Sequence, residues 1–413
     1  MAQRLAEIAA RAAELDKCVN CGLCQSVCPT YLQDGHEGLT ARGKILLMKG
    51  MLAGEVAPSG SIADLFDDCL TCYACQTVCP AGVRTEKLWT AARQDLTPLS
   101  PTGRKKRRGL HWTIGKPALF RLETRLAAML WGRGENQLIT SETSERRLIS
   151  KQAPYLRLLA DEYPATTSEI GSVGLLVGCS SNLVTTWIAD AVIKLLTRAG
   201  YRVVVPKEQV CCGAPAINNG DGRTARNLAR KTIALFSGLN VDFVTSPDGT
   251  CASSVKQDYR ELFRGDDKQH SAAEELANKV ADISSLVARA PDLGVLNLKK
   301  TGTSVTVHDS CHITHIGGNR WRELLKHVPG LEVREMSESA HCCGFGGSYS
   351  LFHPDSSGAI ARRKIERALQ TGVSQMLVGS PGCLIHIQRS LKPDEQRRLK
   401  VKHFAEFLAE LIP

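Results

Sequence analysis

The chain has no apolar run near the roughly eighteen residues that a membrane-spanning helix needs. No secretory leader is expected at its start. The opening MAQRLAEIAARAAELDKC mixes acids with regularly spaced apolar residues and is expected to form an amphipathic helix. A cytoplasmic location, where thiols stay reduced, fits that reading. Nucleotide fingerprints are missing as well. No G-x-G-x-x-G follows a strand-like run, and Gly344-Phe345-Gly346-Gly347 follows a cysteine pair and lacks the third spacing. There is no phosphate-cradling G-x4-G-K-[ST] either, so this chain is not expected to bind a flavin or nicotinamide itself. No DNA-binding helix pair or effector domain is visible, which counts against a sensor.

What is present is an ordinary soluble composition, 43% apolar and 23% charged, in 413 residues. That length suits two or three domains, each with its own core. The formal charge of +10 is unevenly spread. Between Ser100 and Gly134 stand nine Lys or Arg against the single acid Glu123, including the run Arg104-Lys105-Lys106-Arg107-Arg108. Trp112, Phe120, Leu122, Leu126, Met129, Leu130 and Trp131 follow. This stretch reads either as a solvated connector with a half-buried helix or as a docking strip for an acidic partner or an anionic membrane surface. Nucleic acid is not an expected partner.

Sixteen cysteines carry the chemistry. Cys18-x2-Cys21-x2-Cys24-x3-Cys28-Pro29 is repeated as Cys69-x2-Cys72-x2-Cys75-x3-Cys79-Pro80. This spacing is the bacterial ferredoxin run, and two copies predict two [4Fe–4S] clusters. Three closely spaced cysteines wrap one cluster, and the fourth, before proline, reaches the other. Cys18, Cys21, Cys24 and Cys79 are therefore expected on one cluster, and Cys69, Cys72, Cys75 and Cys28 on the other. Disulfides are not expected in a long chain read as having no leader, and zinc needs neither the third cysteine nor the proline. The text between the motifs, TARGKILLMKGMLAGE and SGSIADLFDDCLTC, has helical apolar spacing, so residues 1–95 should be mostly helical.

After Gly171 the texture becomes alternating strand and helix, and it is duplicated. SVGLLVG leads to Cys179, YRVVV to Cys211-Cys212-Gly213, and VDFVTS to Cys251. SVTVHDS leads to Cys311, LEVREM to Cys342-Cys343-Gly344, and MLVGS to Cys383. Thirty-one and thirty-eight residues separate the cysteines of the first unit, thirty and thirty-nine those of the second. Each cysteine sits past the carboxyl end of a strand, where open α/β sheets keep their sites.

The vicinal Cys-Cys-Gly brings two thiolates to one centre, and the glycine permits close backbone approach. The expected use of Cys179, Cys211, Cys212 and Cys251, and of Cys311, Cys342, Cys343 and Cys383, is a further iron–sulfur centre in each unit. A metal-free redox dithiol is the alternative, with inert buried cysteines as the plainest one. His308, His312, His315 and His341 crowd the second set and have no counterparts in the first. His312 and His315 could orient a centre, sit beside a substrate or act as ligands, and His341 and His386 carry less information still. No catalytic residue is assigned.

Two ferredoxin motifs, a connector and two cysteine-rich CCG units, in that order, resemble the iron–sulfur subunit of glycolate oxidase. The iron–sulfur subunit of anaerobic glycerol-3-phosphate dehydrogenase and the subunits of heterodisulfide reductase are similar more distantly. The heterodisulfide-reductase unit ends in C-x2-C, whereas here Cys251 and Cys383 stand alone, and Cys311-His312-Ile313-Thr314-His315 is closer to the glycolate oxidase branch. The resemblance implies an α+β multidomain fold, with an N-terminal α-helical ferredoxin domain followed by a duplicated α/β CCG cysteine-rich domain. It divides as residues 1–95 for the two [4Fe–4S] clusters, 96–170 as basic connector, 171–300 as the first CCG unit with a helical insertion, and 301–413 as the second. It further implies an FAD-binding partner subunit that oxidises a 2-hydroxy acid, since clusters cannot take a hydride equivalent in one step. Electrons would pass here toward a quinone or another acceptor, with the complex cytoplasmic and in peripheral contact with the inner membrane. A D-lactate or glycerol-3-phosphate system, and a reductase acting at the CCG sites themselves, are the competing readings.

Overall fold

A computed structural model describes residues 5–113 and 155–413. The connector residues Phe120, Leu122, Leu126, Met129, Leu130 and Trp131 lie outside them, and the side chain of Trp112 is likewise not described.

The N-terminal part is helical. Helices Ala41–Ala53, Gly60–Asp67 and Thr85–Leu96 pack Ile45, Met48, Met51, Phe66, Leu88 and Trp89 into one core. Two of these helices are fixed at their starts by side chains. Thr40 accepts from the Gly43 amide, and Ser59 accepts from the Ile62 amide. The opening segment is two short helices, Ala6–Ala9 and Ala12–Asp16, rather than one continuous helix. The break at Arg11 lets its buried guanidinium reach Glu7 and Glu261 while Ile8 and Leu15 stay in the core. The cysteine loops turn on left-handed backbone at Asn20, Gly22, Thr71 and Tyr73.

The remainder holds two four-stranded sheets. The first uses β1 (Glu162–Tyr163), β2 (Gly171–Leu175), β3 (Tyr201–Val204) and β4 (Phe243–Thr245), in the order β1-β3-β2-β4. The second uses β5 (Ser304–His308), β6 (Glu332–Val333), β7 (Gln375–Val378) and β8 (Lys400–His403), in the order β6-β5-β7-β8. The parallel triplets β3-β2-β4 and β6-β5-β7 correspond strand for strand, which is the duplication made visible. β1 adds an antiparallel edge to one sheet and β8 a parallel edge to the other. β2 and β5 are buried along most of their length, as parallel strands covered on both faces are.

One apolar core joins the two units. It runs from Val173, Leu175 and Leu195 through Val305, Val307 and Trp321 to Phe404. Trp321 stacks on Phe404 with centroids 4.5 Å apart. Lys194 donates to the carbonyls of Ala409 and Ile412, tying helix Thr186–Arg198 to helix Phe404–Leu411. Helix Pro101–Thr113 carries the basic run. Lys106 alone of its five members is buried, paired with Asp67 and lying over the Phe352 ring, whereas Lys105 and Arg108 are exposed.

Candidate metal centres

The two ferredoxin motifs interleave. Cys18, Cys21, Cys24, Cys75 and Cys79 line one pocket, with Pro80 on its wall. Cys28, Cys69, Cys72 and Cys75 line a second, beside Pro29, Lys44 and Trp89. The cysteine before each proline thus faces the triplet of the other motif. Cys21 is exposed, and the other seven are partly covered.

Burial pushes the Cys24 and Cys28 thiols up and Cys75 up to about 12. A thiol in such a place ionises when a cation takes the proton's position, which is the behaviour of a metal ligand set. Lys44 supplies a buried cationic side chain beside Cys28 and Cys69, anchored by a 2.7 Å bond to the Leu39 carbonyl.

In the first CCG unit the sulfurs form a chain of contacts, Cys179 to Cys211, Cys211 to Cys212 and Cys212 to Cys251. The Gly213 amide lies 3.5 Å from Cys211 Sγ. In the second unit Cys342 takes contacts from Cys311 and Cys343, and Cys343 Sγ stands 3.2 Å from Cys383 Sγ. Those contacts hold the Cys342 thiol well below its ordinary value, and its neighbour Cys343 holds Cys383 down too. The Gly344 amide lies 3.4 Å from Cys342 Sγ. Gly344 has φ +92°, and a Cβ there would meet the Ser357 carbonyl at 2.6 Å. The glycine after the cysteine pair is therefore required by both backbone hand and space. Burial also pushes Lys364 down to about 8, beside Cys342 and Cys343.

Sequence spacing gave no sign of one contact. Cys72, from the second ferredoxin motif, meets Cys342 of the second CCG set. Cys72, Cys311 and Cys342 share a small cluster with Leu70, Tyr349 and Ile360. Around it the domains are latched. Tyr349 donates to Asp68 at 2.7 Å, and His353 Nε2 lies 3.2 Å from Asp67. Arg93 donates to the carbonyls of Phe66, Cys69 and Asn218.

The histidines separate into distinct roles. His312 bonds Thr71 O at 2.9 Å through Nε2 and Thr250 Oγ1 at 3.0 Å through Nδ1, so both nitrogens are used in joining three parts of the chain. His315 stacks on Tyr73 with centroids 4.7 Å apart, and burial lowers it to about 4. His341 pairs with Glu338 at 3.7 Å, and His386 lies 3.1 Å from Ser357 Oγ. His308 is fully buried at the end of β5 and stands with Cys343 and Cys383.

Residues 14–83 match the family described as a 4Fe-4S dicluster domain, and residues 173–256 and 305–388 each match the cysteine-rich CCG domain. Among curated relatives, the chain is 34% identical over 239 residues to lactate utilization protein A of Bacillus subtilis, covering 57% of this chain and 98% of that one. The chain belongs to this CCG-type iron–sulfur protein family. The family member is also 28% identical over 418 residues to a probable glycolate oxidase iron-sulfur subunit of Bacillus subtilis, spanning 96% of this chain and 94% of that one. An iron–sulfur protein of Methanocaldococcus jannaschii is 27% identical over 97% of this chain and 74% of its own. As a CCG iron–sulfur protein, the chain has a fold that fits the expectation of a helical ferredoxin-like part followed by duplicated α/β units. Among the described residues no helix is long and apolar enough to cross a membrane.

Proposed function

We propose that this chain is the electron-relay subunit of a flavin-dependent glycolate oxidase. An FAD-binding partner subunit converts glycolate to glyoxylate, and this chain carries the electrons to a quinone or another acceptor. Similarity to a probable glycolate oxidase iron-sulfur subunit over nearly the whole chain supports the substrate and the partner. The observation that carries the relay is the contact between Cys72 and Cys342, which sets a ferredoxin-motif pocket directly against the second CCG set.

In this reading Cys18, Cys21, Cys24 and Cys79 hold one [4Fe–4S] cluster, and Cys69, Cys72, Cys75 and Cys28 hold the other. The interleaved pockets support that division. The two CCG sets hold further iron–sulfur centres, which the clustering of four soft donors in each unit supports. Bound clusters supply one-electron transfer. The chain's own residues do the rest. The exposed Cys21 puts the first pocket at the surface, where electrons can be exchanged with a partner. Lys44 lies beside Cys28 and Cys69 at the second pocket; burial lowers its pKa, and in its charged form it offsets the negative charge of the thiolates. His312 and Tyr349 hold that pocket against the second CCG set. The complex works in the cytoplasm, with the exposed basic side chains of helix Pro101–Thr113 available to an acidic partner or a membrane surface.

The similarity to lactate utilization protein A favours lactate as the second reading. The Cys72→Ser variant tests the relay under either substrate. One cubane should be lost, acceptor reduction should stop, and the partner's flavin should still be reduced by substrate. Normal acceptor reduction by this variant overturns the path.

A further inference from the structure

The two CCG units are copies in fold but not at one buried position. Three residues before the first cysteine, the first unit has Leu176 and the second has His308. Leu176 is buried in an apolar cluster. His308 is equally buried, with no accessible surface, yet it is polar and it faces sulfur. One of its ring nitrogens and the sulfurs of Cys343 and Cys383 all lie within 4.8 Å of one another.

The state of the ring follows from its other contact. Nδ1 lies 3.1 Å from the Ser339 carbonyl, and a carbonyl can only accept. Nδ1 therefore carries a proton, and in the neutral ring Nε2 presents a lone pair. Nε2 makes no bond of ordinary hydrogen-bond geometry, and the side chain it interacts with is Cys383. The Ser339 carbonyl also takes the Asp309 amide and Lys364 Nζ, each at 3.1 Å, so the anchor of the ring is itself fixed. A buried lone pair facing two sulfurs is unfavourable by itself once the sulfurs are thiolates, because nothing positive lies between them. A metal ion in that space removes the conflict. An Nδ1–H held by a backbone carbonyl with Nε2 free is also how ligating histidines are oriented.

We propose that His308 Nε2 is a ligand of the second CCG centre, giving it mixed sulfur and nitrogen coordination, whereas the first centre is all sulfur. The inference rests on the reading that the CCG sets hold iron–sulfur centres. A neutral imidazole brings less negative charge to iron than a thiolate at the same position would, so His308 leaves the second centre easier to reduce than a cysteine there would.

The test is pulsed EPR on the full chain, reconstituted anaerobically with iron and sulfide and reduced stepwise, with natural-abundance or 15N-labelled histidine. The expected result is a strongly coupled nitrogen that changes with the label and disappears in His308→Cys and His308→Leu, while the ferredoxin-type signals persist as the folding control. His308→Cys should also make the second centre harder to reduce. The His308→Cys variant keeps a donor in place, so it decides the matter if His308→Leu fails to fold. Iron above the needs of two cubanes with no coupled nitrogen, or coupling unchanged in the variants, overturns the assignment of His308. Iron no greater than two cubanes require overturns the CCG-centre reading, and the His308 proposal with it.

Discussion

Single residues decide how closely backbone approaches sulfur in this protein. Gly344 shows the constraint most sharply, with φ +92° and the Ser357 carbonyl 2.6 Å from where a Cβ would stand. Gly344→Ala is expected to cost roughly 1–3 kcal/mol through left-handed strain, with further cost from the clash. Thermal unfolding should show a lowered midpoint, and the iron retained on gel filtration should fall. Gly265 also has a positive φ, but open space around it, and makes the matched control, since Gly265→Ala should retain full iron. At this scale much could be read in the sequence. The Cys-Cys-Gly triplets and the prolines after Cys28 and Cys79 announce themselves by local spacing. The aim of His308 does not, because it depends on a carbonyl thirty-one residues away. Only the mismatch between Leu176 and His308 in the aligned units hinted at it.

Among the elements, strands β2 to β5 and β7 stand out in the sequence as short apolar runs, and β6 lies within LEVREM. β1 and β8 do not. β1 is two residues long within a stretch that holds acids and no apolar run, and the Lys-Val-Lys-His of β8 alternates charge in the manner of a surface segment. β8 ends in a buried histidine that starts the last helix. His403 Nδ1 accepts from the Ala405 amide, and burial holds the ring down to about 4, so it stays neutral in the fold. The sign of its effect follows. Unfolding lets the ring take up a proton below its ordinary value near 6.5, whereas the folded ring resists until about 4. Its contribution to stability is complete above about 6.5 and declines as pH falls toward about 4. His403→Asn keeps a capping acceptor without the titration. Thermal melts at pH 8 and pH 5 should therefore show a smaller drop for the variant than for the parent. An equal drop would remove His403 from the account.

The whole molecule is organised around the meeting of its helical part with the second CCG unit, and that meeting was not legible in the sequence. Cys72 and Cys342 are 270 residues apart, and no local pattern links them. What was legible was the spacing that groups the cysteines, because each group closes through short segments of chain. The contacts of His312 with Thr71 and Thr250 span the junction. His312→Leu should leave the iron content intact while slowing electron movement between the ferredoxin-type and CCG centres, as read by stopped-flow spectra during reduction. Slowed transfer with lost iron would instead mean a structural role. Relay function requires that electrons from glycolate reach this chain. The direct measurement is to purify the tagged protein anaerobically from its own host, add glycolate, and follow the visible spectrum. The prediction is a co-purified flavin that bleaches together with the iron–sulfur absorbance. An iron-rich, flavin-free preparation that does not respond to glycolate would contradict it.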